Sequence, residues 1–164
     1  MLVKEDNPIL KQVCEPVDFE ATTKEERQAL VDRMVATMNE SNGIGLAAPQ
    51  IGVAKRVFIL LDESVPICCF NPEIVHTVGN NVVDYEGCLS FPKLWLKVER
   101  AEGVVGKYQD IDGNVVERQF DGITGRCFLH ELDHVNGVPF VDRVGSVALA
   151  MAKKRRTKQQ RQAK

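Results

Sequence analysis

Residues 121–137 read Asp-Gly-Ile-Thr-Gly-Arg-Cys-Phe-Leu-His-Glu-Leu-Asp-His-Val-Asn-Gly, and within them His130-Glu131-Leu132-Asp133-His134 matches H-E-x-x-H. Asp121 can cap a helix running from about Ile123 to Val135, and Gly137 lies where such a helix ends. Helical spacing puts His130 and His134 on one face, one turn apart, where two imidazoles can bind one metal ion. Glu131 can then project toward water on that metal.

A catalytic metal needs a third protein ligand and an open position. No glutamate follows Glu131, no histidine follows His134, and Asp142, soon after the helix, is the single downstream acid. The third ligand is therefore expected upstream, among His76, the acidic residues and the cysteines. Cys88 is the best candidate. It lies in Tyr85-Glu86-Gly87-Cys88-Leu89-Ser90, where Gly87 allows close approach of another element. One thiolate with two imidazoles makes a soft site suited to zinc or iron(II).

The rest of the chain builds the surroundings of that helix. Thr23 and Glu26 form a capping box, and Val31, Met34, Val35 and Met38 recur at helical spacing, which predicts a helix over 24–40. Residues 57–61, 67–70, 73–78, 104–108 and 115–120 read as strands. Asn80-Asn81 is taken as one hairpin turn and Asp112-Gly113 as another. A third helix is expected over 146–156. Helices do not alternate with long apolar strands, so the expected class is α+β, with antiparallel sheets packed around a central helix that carries the H-E-x-x-H residues.

With 164 residues, 44% of them hydrophobic, the chain fits one domain with its own core. It has 21 basic and 23 acidic residues. The last twelve residues hold seven of the basic ones and no acid, so a tail at +7 follows a body at −9. No apolar run approaches the ~20 residues of a membrane span, and MLVKEDNPIL lacks the apolar core of a signal peptide. An intracellular setting is therefore expected. The odd count of five cysteines favours thiols or metal ligands over a disulfide framework. Aromatics at 6% give little support for base stacking on nucleic acid.

A second unusual stretch is Gly43-Ile44-Gly45-Leu46-Ala47-Ala48-Pro49-Gln50. Its glycines are too few and wrongly spaced for a phosphate loop, and its small residues suggest tightly packed backbone. Gln50 must be hydrogen-bonded if buried, either as a structural amide or with its NH2 aimed at a substrate oxyanion.

Taken in order, Gly43 to Gln50, Glu86 to Ser90 and His130 to His134 resemble the three motifs of the peptide deformylases. The resemblance extends from about Asn7 to about Asp142. It implies residues 1–150 as a catalytic domain and residues 151–164 as a basic tail or helix extension. Cys88, His130 and His134 would hold one divalent metal, iron(II) first, with zinc, nickel and cobalt as alternatives. Glu131 would be general base and acid, and Gln50 and the Leu89 N–H would stabilise the oxyanion. Metal-bound hydroxide would attack the formyl carbon and remove the formyl group from the N-terminal formylmethionine of new polypeptides. Gly43, Ile44, Gly45 and Cys127, with Leu89, would line the methionine pocket. Arg100 and Asp133 would pair behind the histidines. The partners would be N-formylmethionyl nascent peptides and, through residues 153–164, the ribosome, with no membrane. The setting would be cytoplasm of bacterial type, with organellar or phage-encoded origin left open.

Two positions depart from the family pattern. Leu129 stands where a glutamine often precedes the first histidine, and Trp95 stands about where an arginine often lies at the substrate rim. Trp95 could supply apolar contact there or belong to the core. His76 is expected on the surface of a strand, and Arg126 is unexplained if it faces the same pocket. The tail is read either as solvated chain or as an electrostatic ribosome anchor. A metallopeptidase and a non-catalytic ribosome- or RNA-binding module are the rival readings.

Overall fold

A computed structural model describes residues 1–162. Helix α1 spans Lys24–Glu40, the range predicted. Its start is fixed by the capping box: Thr23 Oγ1 accepts from the Glu26 N–H at 3.2 Å, and Glu26 accepts from the Thr23 N–H at 2.8 Å. Val31, Met34 and Met38 form its buried stripe, packed with Val57, Ile59 and Phe70.

Five strands follow: β1 (Gly45–Ala47), β2 (Val57–Asp62), β3 (Val65–Cys88), β4 (Phe91–Gln109) and β5 (Val115–Asp121). They pair antiparallel in the order β1-β2-β3-β4-β5. The class is α+β as expected, but the strands join in one sheet rather than several. The reason lies in β3, where the sequence suggested separate short strands. Residues 67–70 and 73–78 belong to one 24-residue strand that also continues to Cys88. Asn80-Asn81 is not a turn. Gly79 is left-handed at φ 73°, and the register against β4 shifts between Val78 and Asn81, so this is a bulge. Glu102 on β4 accepts from the Asn80 N–H at 3.1 Å, and pairing resumes at Asn81↔Ala101. A strand with a long partner keeps its ladder and absorbs turn-like residues as a kink. The true hairpins are at Glu63-Ser64, Leu89-Ser90 and 110–114, the last being the predicted Asp112-Gly113 turn.

Helix α2 (Gly122–Val135) starts at Asp121, whose side chain makes no capping bond, and packs on β1, β2, β4 and β5. Phe128 is the anchor. Its ring meets Phe58 edge-on at 5.1 Å and stacks on Phe120 at 5.0 Å. Leu129, one of the departures from the family pattern, is buried in the same cluster.

Helix α3 (Ser146–Gln162) is longer than predicted and takes in most of the basic segment. The boundary expected at 150/151 therefore falls inside a continuous helix. Ala152 is buried with Leu10, Phe91 and Phe140, and Arg156 pairs with Glu5 at 2.8 Å. Residues 153–162 are helical rather than irregular, yet all but the half-buried Arg156 are exposed to solvent, while Lys164 lies outside the described residues. Among the described residues, no helix is long and apolar enough to cross a membrane.

Candidate metal centre

The Leu89-Ser90 turn places Cys88 at the end of β3, and α2 presents His130 and His134 toward it. The Cys88 Sγ lies 3.2 Å from His134 Nε2, and the donor atoms of Cys88, His130 and His134 all lie within 4.8 Å of one another. Tetrahedral ligation of a zinc-sized ion asks for donor separations of about 3.3–3.6 Å, so this donor set fits a small divalent cation. His130 Nδ1 is 3.0 Å from Glu86 Oε2. The paired Glu86 carboxylate can only accept, so Nδ1 donates and Nε2 is left as the ring's free donor atom. Burial alone would lower the His130 pKa, but Cys88 and Glu86 on either side raise it to about 10. The space between these groups thus favours positive charge. Burial drives His134 the other way, well below the usual imidazole range, and its Nδ1 has no hydrogen-bond partner.

Glu86 is the residue that sequence reasoning missed. It is buried and accepts from Arg100 Nε at 2.6 Å, Arg126 Nη1 at 2.8 Å and His130. Burial would raise its carboxyl, but the hydrogen bonds from His130 and Arg100 outweigh this and hold it well below the carboxylate range. A signal was available: in a strand Glu86 and Cys88 point to the same face, two residues apart. Arg126, unexplained in the sequence, is also accounted for. It binds Glu86 and donates to the Val98 and Val82 carbonyls at 2.9 and 2.8 Å, tying α2 to both long strands. The expected Arg100–Asp133 pair is present at 2.8 Å, and Arg143, also missed, holds Asp133 from its other side.

Glu131 is buried, and its Oε2 has no partner. Burial pushes its carboxyl up to about 7, more than the neighbouring His130 pulls it down. Gly45 is required beside it: a Cβ there would lie 2.5 Å from both Glu131 Oε1 and Cys127 Sγ. Gln50 is buried, with Oε1 accepting from the Ala47 N–H at 2.8 Å and Nε2 facing Ser90 Oγ at 3.2 Å and Cys88 Sγ at 3.5 Å. Its amide is thus both structurally bonded and directed at the donor cluster.

A cavity of about 690 Å3 opens on this cluster, and Gly43, Ile44, Gly45, Gln50, Leu89 and Cys127 all line it. Burial raises the Cys127 thiol well above its ordinary range, so this wall is an inert sulfur. His76 is exposed on β3, away from the cavity lining. Trp95 stands at the cavity mouth and outside the core.

Residues 1–149 match the model of the family described as polypeptide deformylase. A peptide deformylase of Thermotoga neapolitana is 36% identical over 149 residues, covering 91% of this chain and 89% of that protein. The crystal structure of a peptide deformylase from Synechococcus elongatus in complex with actinonin superposes with a TM-score of 0.88 at 36% identity, covering 96% of this chain and 85% of that one. A class I type b peptide deformylase from Acinetobacter baumannii bound to Met-Ala-Ser gives 0.82 at 37% identity, over 88% of this chain and 97% of that one. A body built around Cys88, His130 and His134, matched over nine tenths of its length, belongs to the peptide deformylase family.

Proposed function

We propose that this chain removes the formyl group from N-terminal formylmethionine of new polypeptides, with α2 as the central helix and Cys88, His130 and His134 holding one divalent metal, iron(II) by family resemblance. Such an ion supplies Lewis acidity toward the formyl oxygen and lowers the pKa of bound water. The protein's own part is proton handling and charge stabilisation. Glu131 takes a proton from the attacking water at its free Oε2 and passes it to the leaving amine. A carboxyl raised to about 7 suits both directions at neutral pH. Gln50 Nε2 and the Leu89 N–H meet the charge that grows on the formyl oxygen. Glu86, clamped by Arg100 and Arg126, fixes the His130 ring. Gly43, Ile44, Gly45 and Cys127 wall the methionine side chain, and the crowding at Gly45 leaves room for formyl but not for a larger acyl group.

The observation that carries this reading is the buried, unpartnered Glu131 Oε2 beside three converging metal donors. Glu131→Gln tests it: turnover of formyl-Met-Ala-Ser should fall at least a hundredfold with metal content unchanged. Retained turnover refutes the assignment. A second reading concerns place of action. Lys154, Arg155, Lys158 and Arg161 line one groove on α3, a basic face suited to ribosomal RNA in a bacterial-type cytoplasm.

A further inference from the structure

The chain leaving α2 turns back onto the helix that carries the histidines. Gly137 is left-handed at φ 73°, and a Cβ there would lie 2.8 Å from the Lys11 carbonyl, so only glycine fits the turn. The Val138 N–H then donates to the Asp133 carbonyl at 2.9 Å, and one turn of 3-10 helix follows at Phe140–Arg143. Phe140 fixes this turn from one end: its ring lies 5.7 Å from the His130 ring and 5.5 Å from that of Phe91. Arg143 fixes it from the other. Its Nε donates to Asp133 Oδ2 at 2.9 Å, and its Nη2 donates to Asp133 Oδ1. Two parallel bonds from one guanidinium are the strong, oriented form of an ion pair. Asp133 is buried, next to His134 in the chain, and its only other side-chain partner among the described residues is Arg100 Nη1 at 2.8 Å. Arg100 in turn spends Nε and Nη2 on Glu86, at 2.6 and 3.0 Å, and Glu86 holds His130 Nδ1. A row of alternating charge therefore runs from Arg143 through Asp133, Arg100 and Glu86 to a metal donor ring.

We infer that Arg143 is a positioning residue for the metal donors: by holding both oxygens of Asp133 it leaves Arg100 turned toward Glu86, and so keeps the Glu86 carboxylate on His130. The inference rests on the reading of Cys88, His130 and His134 as a metal site. Its cause is a shortage of donors. Without Arg143, Asp133 Oδ1 is a buried carboxylate oxygen with no partner, which is costly. The nearest donor able to replace the lost pair is Arg100, and a guanidinium that turns to grip both oxygens of Asp133 must release a bond to Glu86. Glu86 then keeps Arg126 but loses its fixed orientation toward the imidazole. The side chain of Arg143 is 46% exposed, against 4% for Arg100, so the end of this row that touches solvent is the end that can be changed and restored from outside.

The test is chelator competition for zinc, a probe metal free of redox chemistry, on the full folded chain. Removing a direct partner of a ligand histidine costs about 10- to 100-fold in metal affinity, and Arg143 acts one step farther out, so Arg143→Ala should weaken zinc binding by about three- to tenfold. Arg143→Lys keeps the charge without the two-pronged grip and should recover only part of the loss. Guanidinium ion at millimolar concentration should rescue Arg143→Ala, and sodium chloride at the same concentration should not. A residue that merely held the fold together would lower the melting temperature of the metal-free protein without this rescue of metal affinity. In the Asp133→Asn background, Arg143→Ala should have almost no further effect on zinc, the non-additivity expected of one chain of contacts. The inference is overturned if folded Arg143→Ala or Arg143→Lys binds zinc as tightly as wild type, if guanidinium does not rescue, or if the loss is as large in the Asp133→Asn background. Should Arg143→Ala not fold, Arg143→Lys alone decides. Failure of the metal reading shows separately, as wild-type protein that takes up no zinc, and removes this inference with it.

Discussion

Replacing Gly45 by alanine adds one methyl group at the most crowded point of the site. The new Cβ would stand 2.5 Å from Glu131 Oε1 and 2.5 Å from Cys127 Sγ, where ordinary contact begins at 3.4 Å. Something must therefore move by about 0.9 Å. The β1 backbone is held by its register Gly45↔Leu60 against β2, so the side chains yield first. Overpacking of this kind costs about 1–3 kcal/mol in stability. The catalytic cost is larger in proportion, because a misplacement of about 1 Å in a reacting group lowers the rate by roughly a hundredfold. Steady-state assay of formyl-Met-Ala-Ser should thus show kcat/KM down by about two orders of magnitude, with the melting temperature lowered by only a few degrees. Adding Cys127→Ala removes one of the two clashes and should recover part of the loss, a non-additivity readable in a double-mutant cycle. Full activity in Gly45→Ala would refute the claim that Glu131 is positioned by contact with a bare backbone.

Three other expectations rest on single interactions. Glu86→Gln leaves Arg100 and Arg126 without their shared carboxylate and should cost about 3–5 kcal/mol in denaturant unfolding. The same change loosens His130 and should weaken metal binding by about 10- to 100-fold in a chelator competition. Phe128→Ala removes the ring that joins Phe58 to Phe120 and should destabilise the fold by about 3–5 kcal/mol, read as a lowered denaturant midpoint. The hydrogen bond from Arg156 holds the Glu5 carboxyl below its ordinary value, so that pair anchors α3 at neutral pH and is lost as the pH falls through the lowered folded pKa. Hydrogen exchange in α3 should accordingly be faster in Glu5→Gln than in wild type at pH 7, and the difference should shrink as acid protonates Glu5.

What could be read from the chain depended on how local the cause was. The α1 boundaries follow from Thr23, Glu26 and the apolar spacing, all within one helix, and the structure reproduces them. His130, Glu131 and His134 share a helix face by periodicity alone, and the absence of downstream ligands pointed to Cys88, which the fold brings alongside. The continuity of β3 was not legible, because Gly79-Asn80-Asn81 has turn chemistry and only the length of β4 keeps the ladder intact. The brace behind the histidines was read in part. Arg100 and Asp133 were paired, but Glu86 reaches that cluster from β3 and Arg143 from the turn after α2, and charged residues in a sequence carry no mark of burial. Trp95 was ambiguous for the same reason. Its exposure depends on Gly87 across the ladder, a pairing set by the Leu89-Ser90 turn.

The central claim is that Cys88, His130 and His134 hold a metal that serves formyl hydrolysis. The most direct measurement is amine release from formyl-Met-Ala-Ser and from acetyl-Met-Ala-Ser by anaerobically purified protein, before and after removal of bound metal. The predicted result is turnover of the formyl peptide alone, lost with the metal and restored by about one equivalent of iron(II) per chain. Equal cleavage of both peptides, or formyl turnover that survives complete metal removal, would contradict it.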